Sequence, residues 1–273
     1  MGRVEGKVAF ITGAARGQGR NHAVRLAAEG ADIIALDMCE QIPTVAAPMA
    51  TPRDLKETVA QVEALGRRIV ASQADVRDFD AVSAALKAGT GELGPVDIVL
   101  ANAGISVLGA PEPDKAQTFR DVVDVNLVGV WNTIYAAAPQ MIERGAGGAI
   151  VLTSSTQGLS GRGGTGTAGT AAYCAAKHGV LGLMRSMGYW LGPHNIRINT
   201  ICPTGTATPM VENDVVAGYF KEHPEDINRV GNLMPVSLIQ ANDLSNAVLY
   251  LVSDDARYVT GVALPVDAGY MLM

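Results

Sequence analysis

The chain has 273 residues, of which 48% are hydrophobic and 18% are charged, and it contains 31 glycines. This length is enough for one large domain or two small ones, and the composition suits a well-buried α/β domain with many tight turns. The formal net charge of -6 argues against non-specific binding to nucleic acid.

The cysteines and the apolar runs bear on the compartment. Cys39, Cys174 and Cys202 are scattered, odd in number and without metal-ligand spacing. A reduced, cytoplasmic protein is the simplest interpretation. No apolar run approaches the roughly 18 residues that a membrane helix needs, so we expect no membrane association.

Short apolar runs alternate with helical segments along the chain. The predicted strands are 7–12, 31–37, 68–74, 96–101, 148–153, 196–202 and 262–266. The predicted helices are one ending near Glu29, then 53–65, 78–88, 115–144, 172–191 and 242–251, the last capped by Asn242. This alternation predicts an α/β fold, with one Rossmann-like, doubly wound parallel sheet of about seven strands and helices on both faces. With no repeat and no linker, residues 1–273 are predicted to form a single domain.

Three segments depart from this pattern. Residues 38–52 contain scattered prolines and no periodicity, which indicates an inserted loop, and loops of this length are often functional. Residues 156–171 are rich in Gly and Thr and are predicted to be a loop. Residues 204–235, broken by prolines, are predicted to be irregular to helical.

Tyr173 and Lys177 are four residues apart in a predicted helix, so they share a face. An ammonium group beside a phenol favours the phenolate and lowers its pKa, which would let Tyr173 move a proton near neutral pH. A serine at the end of the strand before it, Ser154 or Ser155, would hydrogen-bond the same substrate oxygen. Alone this pair is weak evidence, since the spacing arises by chance in many helices.

A glycine-rich turn follows the first strand and opens a helix, reading Gly13-Ala14-Ala15-Arg16-Gly17-Gln18-Gly19. Glycines there let the backbone approach a pyrophosphate, and the helix N-terminus favours its charge. Asp37 ends the second strand, where a carboxylate binds ribose hydroxyls and repels a 2′-phosphate. Arg16 favours a 2′-phosphate instead, and we weigh Asp37 more heavily, which predicts NAD as the cofactor.

Together these residues resemble the short-chain dehydrogenase/reductase family over nearly the whole chain. Asn126, Ser155, Tyr173 and Lys177 match its catalytic tetrad in order and by element. The resemblance implies Tyr173 as general base in alcohol oxidation and acid in ketone reduction. It implies that Lys177 lowers the Tyr173 pKa and holds the nicotinamide ribose, that Ser155 orients the substrate oxygen, and that the Asn126 backbone binds a water linked to Lys177.

The resemblance also extends the predicted cofactor site beyond the glycine turn and Asp37. The further cofactor-binding residues that it implies are Asp75, Val76, Asn102, Ala103, Gly104, Tyr173, Lys177, Pro203, Thr206 and Thr208. Thr208 matches the threonine that contacts the nicotinamide carboxamide. The Pro-Gly step of the family appears here as Pro203-Thr204-Gly205, with its glycine one place late.

Two departures from the family pattern are informative. Tyr173 lies 18 residues after Ser155, further than usual, and the extra residues fall within 161–170. The loop 38–52, with the turn that continues to His22, resembles an actinobacterial subgroup that is similar to carveol dehydrogenase and is associated with mycofactocin as electron carrier. That resemblance implies a loop that covers the adenine end and keeps NAD bound. A surface insertion without such a role is the alternative.

The segment after Pro203 supplies apolar side chains for the substrate end: Met210, Val211, Val215, Val216, Phe220, Leu233 and Met234. They favour an apolar secondary alcohol or ketone, and the alternative is that several of them only pack the loop helix onto the core. Two other functions stay open, namely an ordinary carbonyl reductase with freely exchanging NAD or NADP, and a non-catalytic dinucleotide sensor. The family resemblance further implies a homotetramer built on helices 115–144 and 172–191, with Tyr189 and Trp190 as anchors.

Overall fold

The apolar runs form a parallel sheet that carries the site at one edge. The structure, a computed structural model, describes residues 2–273 apart from the side chain of Asn228. The strands of the main sheet are β1 Val8–Thr12, β2 Asp32–Asp37, β3 Ile69–Gln73, β4 Ile98–Ala101, β5 Gly148–Thr153, β6 Ile196–Pro203 and β9 Ala263–Val266. Their order is β3-β2-β1-β4-β5-β6-β9, and every pairing is parallel. The predicted fold class is therefore confirmed.

Helices cover both faces of this sheet. They are α1 Gly17–Ala28, α2 Pro52–Glu63, α3 Phe79–Leu93, α4 Lys115–Val123, α5 Gly129–Arg144, α6 Ala168–Leu191, α7 Asp214–Glu222, α8 Glu225–Arg229 and α9 Ala241–Val252. One core cluster lies under α1, α2 and α9, and the other under α3, α5 and α6. After β3 the chain returns past β1 and continues with β4 on its other side, so the strand order reverses between β1 and β4. The connections that follow these two strands lead to opposite sides, and a crevice opens beyond their carboxyl ends.

One predicted helix start and one predicted helix cap are wrong. Helix α6 begins at Ala168, inside the predicted loop 156–171, because the Thr167 side chain caps it by accepting from the Thr170 amide. Helix α9 begins at Ala241, and its cap is the reciprocal pair of Gln240 and Asp243 rather than Asn242. In both cases a residue that precedes the apolar run supplies the cap.

The predicted helix 115–144 is helical throughout but not uniform. A π-helical segment, Asp124–Val128, joins α4 to α5, and the left-handed Gly145 ends α5. Single-turn π segments interrupt the regular ladder of backbone hydrogen bonds and are frequent at functional sites. Asn126 lies inside this segment, so the irregular backbone falls at a predicted catalytic residue.

The inserted segments have defined structure. Residues 38–51 run irregularly between β2 and α2, yet Ile42 and Val45 are buried in the core. Within 204–235, α7 and α8 follow the short strand β7 Thr206–Ala207, which pairs with β8 Ile239–Gln240. Among residues 2–273, no helix has both the length and the apolar character needed to cross a membrane.

Candidate active site

A cavity of about 370 Å³ opens beyond the carboxyl ends of β1, β4 and β5. Every residue that the sequence suggests for catalysis or cofactor binding lines it: Gly13, Arg16, Gly17, Gln18, Gly19, Asp37, Asp75, Val76, Asn102, Ala103, Gly104, Asn126, Ser155, Tyr173, Lys177, Pro203, Thr206 and Thr208. These residues come from eight separate stretches of the chain. The fold therefore brings them to one place.

The glycine turn is packed too tightly for side chains. A β-carbon at Gly19 would lie 1.9 Å from the Gly13 carbonyl oxygen, and one at Gly13 would lie 2.8 Å from Ala103 Cα. Gly13 also has a φ of +68°, which favours glycine. The Thr12 hydroxyl accepts the Asn102 amide at 3.1 Å and so joins this turn to the end of β4. The turn therefore presents backbone groups, without covering side chains, to the cavity.

The residues at this end fit a dinucleotide. The bare turn leads into the N-terminus of α1, where a phosphate is favoured. The side-chain oxygen of Gln18 is buried and has no protein partner among the residues described, so it offers an acceptor to a ligand. Asp37 is nearly buried, and its two carboxylate oxygens accept the amides of Ala15, at 3.0 Å, and Cys39, at 3.1 Å. These bonds fix the carboxylate at the end of β2.

The loop 38–51 closes over this end of the cavity. Met38, Val45, Ala47, Pro48, Met49 and Ala50 all line it. The Arg16 guanidinium donates to the Pro48 carbonyl at 2.5 Å, and the Thr44 hydroxyl donates to Asp121 at 2.7 Å. Asp121 in turn faces Arg77 at 3.5 Å. Two polar contacts therefore tie the loop to the body of the protein, in addition to its buried side chains.

Tyr173, Ser155 and Lys177 meet at the other end of the glycine turn. The Ser155 side chain lies close enough to the Tyr173 hydroxyl to lower the pKa of the phenol. The Lys177 ammonium lies 5.5 Å from the centre of the Tyr173 ring and donates to the Thr153 carbonyl at 2.8 Å. Ser154 is distinct from Ser155, because its hydroxyl donates to the Lys177 carbonyl at 2.8 Å and ties β5 to α6.

The pKa of Tyr173 differs from the prediction. Burial raises it, and the hydrogen bond with Ser155 lowers it by less. Lys177 does not produce the expected net decrease, since burial is the largest effect on the pKa of Tyr173. Burial lowers the pKa of Lys177 to about 8. The protein alone thus holds Tyr173 as the neutral phenol at neutral pH.

Asn126 packs beside this group. Its side chain accepts the Ile105 amide and donates to the Ile105 carbonyl, both at 2.9 Å. A β-carbon at Gly104 would lie 2.8 Å from the Asn126 side-chain oxygen and 3.6 Å from the Lys177 nitrogen. The Asn126 side chain therefore fixes the loop after β4, and its backbone is the part left for any role toward Lys177.

Comparison with known proteins identifies the chain. A family model described as short chain dehydrogenase matches residues 7–216.

The protein belongs to the short-chain dehydrogenase family.

Its relatives in this family include (-)-trans-carveol dehydrogenase of Rhodococcus erythropolis, 45% identical over 283 residues and 100% of both chains. The crystal structure of carveol dehydrogenase from Mycobacterium avium in complex with NAD superposes with a TM-score of 0.91, at 49% identity and 100% coverage of both chains. A short chain dehydrogenase from Mycobacterium paratuberculosis bound to NAD gives a TM-score of 0.92 at 43% identity, again over 100% of both chains.

The substrate end of this short-chain dehydrogenase differs in part from the prediction. Met210, Val211, Val216 and Phe220 line the cavity. The other predicted apolar residues, Val215, Leu233 and Met234, do not, and the last two are more than half exposed. A loop can turn an apolar residue to either side, so composition alone did not separate the two groups.

Sequence reasoning missed several residues of the cavity. Gln157, Asp226, Arg229 and Tyr270 line it, although none of the motifs described above contains them. Tyr219 also lines it and donates to Asp226, which is paired with Arg229 at 3.0 Å. Only the tertiary fold brings these residues together, and the late position of Tyr270, after the last strand, offers no signal of its own.

Proposed function

We propose that the protein oxidises apolar secondary alcohols of the carveol type to ketones, and catalyses the reverse reduction, with tightly held NAD. The observation that carries this proposal is the single cavity that joins the Tyr173–Ser155 pair to the glycine turn. The names of the two carveol dehydrogenase relatives support the substrate class. The apolar residues Val211, Val216 and Phe220 at the substrate end agree with it.

Residues at the cofactor end would hold NAD. The glycine turn and α1 suit its pyrophosphate, Asp37 suits the adenosine ribose, and Lys177 suits the nicotinamide ribose. Bound NAD supplies the hydride acceptor for oxidation. A carboxylate at Asp37 also disfavours the 2′-phosphate of NADP, which supports NAD over the alternative in which either cofactor is used.

The proton steps belong to Tyr173 and its neighbours. During oxidation the Tyr173 oxygen takes the hydroxyl proton of the alcohol, and Ser155 holds the same oxygen by a hydrogen bond. In ketone reduction Tyr173 returns the proton. Burial raises the Tyr173 pKa, so nearby positive charge is needed to make the phenolate at neutral pH. Lys177, whose pKa is about 8, would supply part of this charge when protonated, and the positively charged nicotinamide ring of bound NAD would add to it.

The loop 38–51 is proposed to keep NAD bound through turnover. It covers the cofactor end, its core side chains Ile42 and Val45 are buried, and Thr44 and Arg16 tie it down. A cofactor that does not leave must pass its electrons to a second carrier. The resemblance to the mycofactocin-associated subgroup makes mycofactocin our proposed carrier.

We further propose a cytoplasmic homotetramer. An apolar groove lies between the two long helical segments, lined by Leu127, Val128, Trp131, Gly179, Gly182, Leu183 and Ser186. Trp131 stacks on Tyr135, whose ring lies 5.3 Å from that of Trp190, and Tyr189 is 90% exposed beside them. Exposed aromatic residues of this kind favour association. Light scattering that gave a monomer mass would contradict the proposal.

The test begins with the protein as purified. Denatured protein is analysed by mass spectrometry for NAD, and native protein is assayed with carveol, first with added NAD and then with an artificial electron acceptor. We expect bound NAD, little turnover with added NAD alone, and turnover with the acceptor. Turnover with added NAD or NADP and no bound cofactor would favour an ordinary carbonyl reductase.

Tyr173→Phe separates the enzyme from a dinucleotide sensor. This change removes the hydroxyl that moves the proton but keeps the ring, so we expect loss of turnover by about a thousandfold or more with NAD still bound. Wild-type protein that binds NAD but oxidises no alcohol, whatever the acceptor, would support the sensor.

A further inference from the structure

The extra residues between Ser155 and Tyr173 meet the C-terminal segment of the chain at the substrate end of the cavity. We infer that Arg162 and Tyr270 form a clasp that sets the width of this end and so discriminates compact from bulky alcohols. The substrate class in this inference rests on the proposed function. The clasp itself rests on the contacts described next.

Arg162 and Tyr270 contact each other in three ways. The Arg162 guanidinium donates to the Tyr270 carbonyl at 2.8 Å and lies 4.4 Å from the centre of its ring. The Tyr270 hydroxyl donates back to the Arg162 carbonyl at 3.0 Å. Reciprocal hydrogen bonds combined with a cation–π contact favour a single arrangement of the two segments.

A third segment joins the clasp. Arg162 also reaches the Gly231 carbonyl at 3.5 Å, and the Met234 amide donates to the Ala268 carbonyl at 2.9 Å. Asp267 holds the tail in place by accepting the amides of Gly269 and Met271. The extra residues within 161–170, the segment 204–235 and the C-terminal residues after β9 therefore form one wall.

This wall faces the cavity. Gly163 and Tyr270 both line it, and Tyr270 is only 3% exposed. A β-carbon at Gly163 would lie 3.3 Å from Val230 and 3.6 Å from the Tyr270 hydroxyl. Gly163 has a φ of +87°, which glycine adopts without strain. The extra residues are thus pressed against the other two segments rather than looped into solvent.

The wall also borders the reacting groups. The Gln157 amide donates to the Ser155 hydroxyl at 3.1 Å, and the Gln157 side-chain nitrogen would lie 3.0 Å from a β-carbon at Gly163. The wall therefore borders the space beside Ser155 that the body of a bound alcohol would occupy. Loosening the clasp would widen that space, so compact alcohols would lose contacts and bulky ones would be admitted.

The test uses Arg162→Gln, which removes the charge and the cation–π contact, and Tyr270→Phe, which removes only the hydroxyl bond. Arg257→Gln is the matched control, because Arg257 also lies over a tyrosine, Tyr258, at 5.3 Å, but neither residue lines the cavity. Each variant is assayed for kcat and KM with cyclohexanol and with the bicyclic decahydro-2-naphthol. Hydrogen exchange of amides 161–167 is measured in parallel.

For Arg162→Gln we expect the cyclohexanol KM to rise by about tenfold with kcat nearly unchanged, and the preference for the compact alcohol to fall by a similar factor. Tyr270→Phe should show the same direction and a smaller effect. Exchange of amides 161–167 should accelerate in Arg162→Gln and not in Arg257→Gln.

An unchanged ratio of the two KM values in both clasp variants would overturn the inference, as would a loss confined to kcat. If wild-type protein oxidises neither alcohol with any acceptor, the exchange measurement decides the clasp on its own, and the proposed function fails only if carveol is not oxidised either. Equal exchange in Arg162→Gln and wild type would then refute it.

Discussion

The cofactor end of the cavity and its substrate end are held by different kinds of contact. At the cofactor end, Gly13 and Gly19 pack backbone against backbone, and Asp37 binds two amides. At the substrate end, side chains such as Arg162 and Tyr270 join separate loops. Backbone packing leaves almost no freedom in residue type, whereas side-chain contacts can be replaced. The substrate end can therefore change while the cofactor end stays as it is.

The strongest test of this contrast is Gly19→Ala. Because the new β-carbon would lie 1.9 Å from the Gly13 carbonyl oxygen, the turn must deform, and we expect NAD affinity to fall by about a hundredfold. The affinity is measured by calorimetry on cofactor-free protein. Gly91→Ala in α3 is the matched control, since no atom lies within 4 Å of its β-carbon. Equal NAD affinities in the two variants would show that backbone packing in the glycine turn does not set cofactor binding.

His22 tests whether the cofactor end also depends on a buried side chain. It is buried on α1, contacts the Ser245 hydroxyl at 2.7 Å, and its other ring nitrogen has no partner among the residues described. Burial lowers its pKa from 6.5 to about 4. The unfolded chain therefore binds more protons between these values, and stability falls as the pH falls through this window.

The expected loss from His22 is about 3 kcal/mol of unfolding free energy between pH 6.5 and pH 4. Urea unfolding of wild type and His22→Gln across this range measures it, and the variant should lose correspondingly less stability on acidification. The exposed His194→Gln should follow wild type. Parallel curves for His22→Gln and wild type would show that this histidine does not titrate as described.

A smaller effect is expected from the loop over the cofactor end. Thr44→Val removes the hydroxyl that donates to Asp121, and we expect NAD to dissociate about tenfold faster. Stopped-flow displacement of bound NADH measures the rate. Thr90→Val is the control, because the Thr90 hydroxyl bonds a carbonyl within its own helix. If both variants release NADH at the wild-type rate, the Thr44 contact does not hold the loop.

The smallest effect is expected at the substrate end. The Glu112 carboxylate accepts the amides of Ala168, at 2.9 Å, and Gly169, at 2.6 Å, where α6 begins. Glu112→Gln removes the charge from a helix N-terminus and should cost about 1 kcal/mol in unfolding free energy. Urea unfolding measures it against Glu57→Gln, an exposed change on α2. A larger loss for Glu57→Gln would reverse the expectation.

The parts that sequence predicted well are those in which residue type follows from backbone geometry. Strands β1, β2, β4 and β5 and the glycine turn fall in this group, because a buried parallel strand needs continuous apolar residues and a close turn needs glycine. The position of Ser155, Tyr173 and Lys177 at the carboxyl end of the sheet follows from the same order of elements. No such rule connects Arg162 to Tyr270, which are 108 residues apart.

The predictions of the α9 cap and of a lowered Tyr173 pKa were wrong for a related reason. Gln240 is not a common capping residue, so the sequence favours Asn242, whereas in the structure Asp243 accepts the Gln240 amide. The spacing of Tyr173 and Lys177 predicts that they share a helix face, but not that Lys177 donates to Thr153 or that burial dominates. Helical periodicity predicts which residues share a face, but not how deeply the Tyr173 hydroxyl is buried or which groups the Lys177 ammonium contacts.

The two amides that Asp37 accepts also limit how this enzyme could be redesigned to use a phosphorylated cofactor. Exchanging Asp37 for a small neutral residue would remove the negative charge, yet it would leave the N–H groups of Ala15 and Cys39 without their acceptor. A serine or asparagine that keeps an acceptor for at least one of them is the better starting point. Cofactor choice and the integrity of the turn are therefore coupled through one carboxylate.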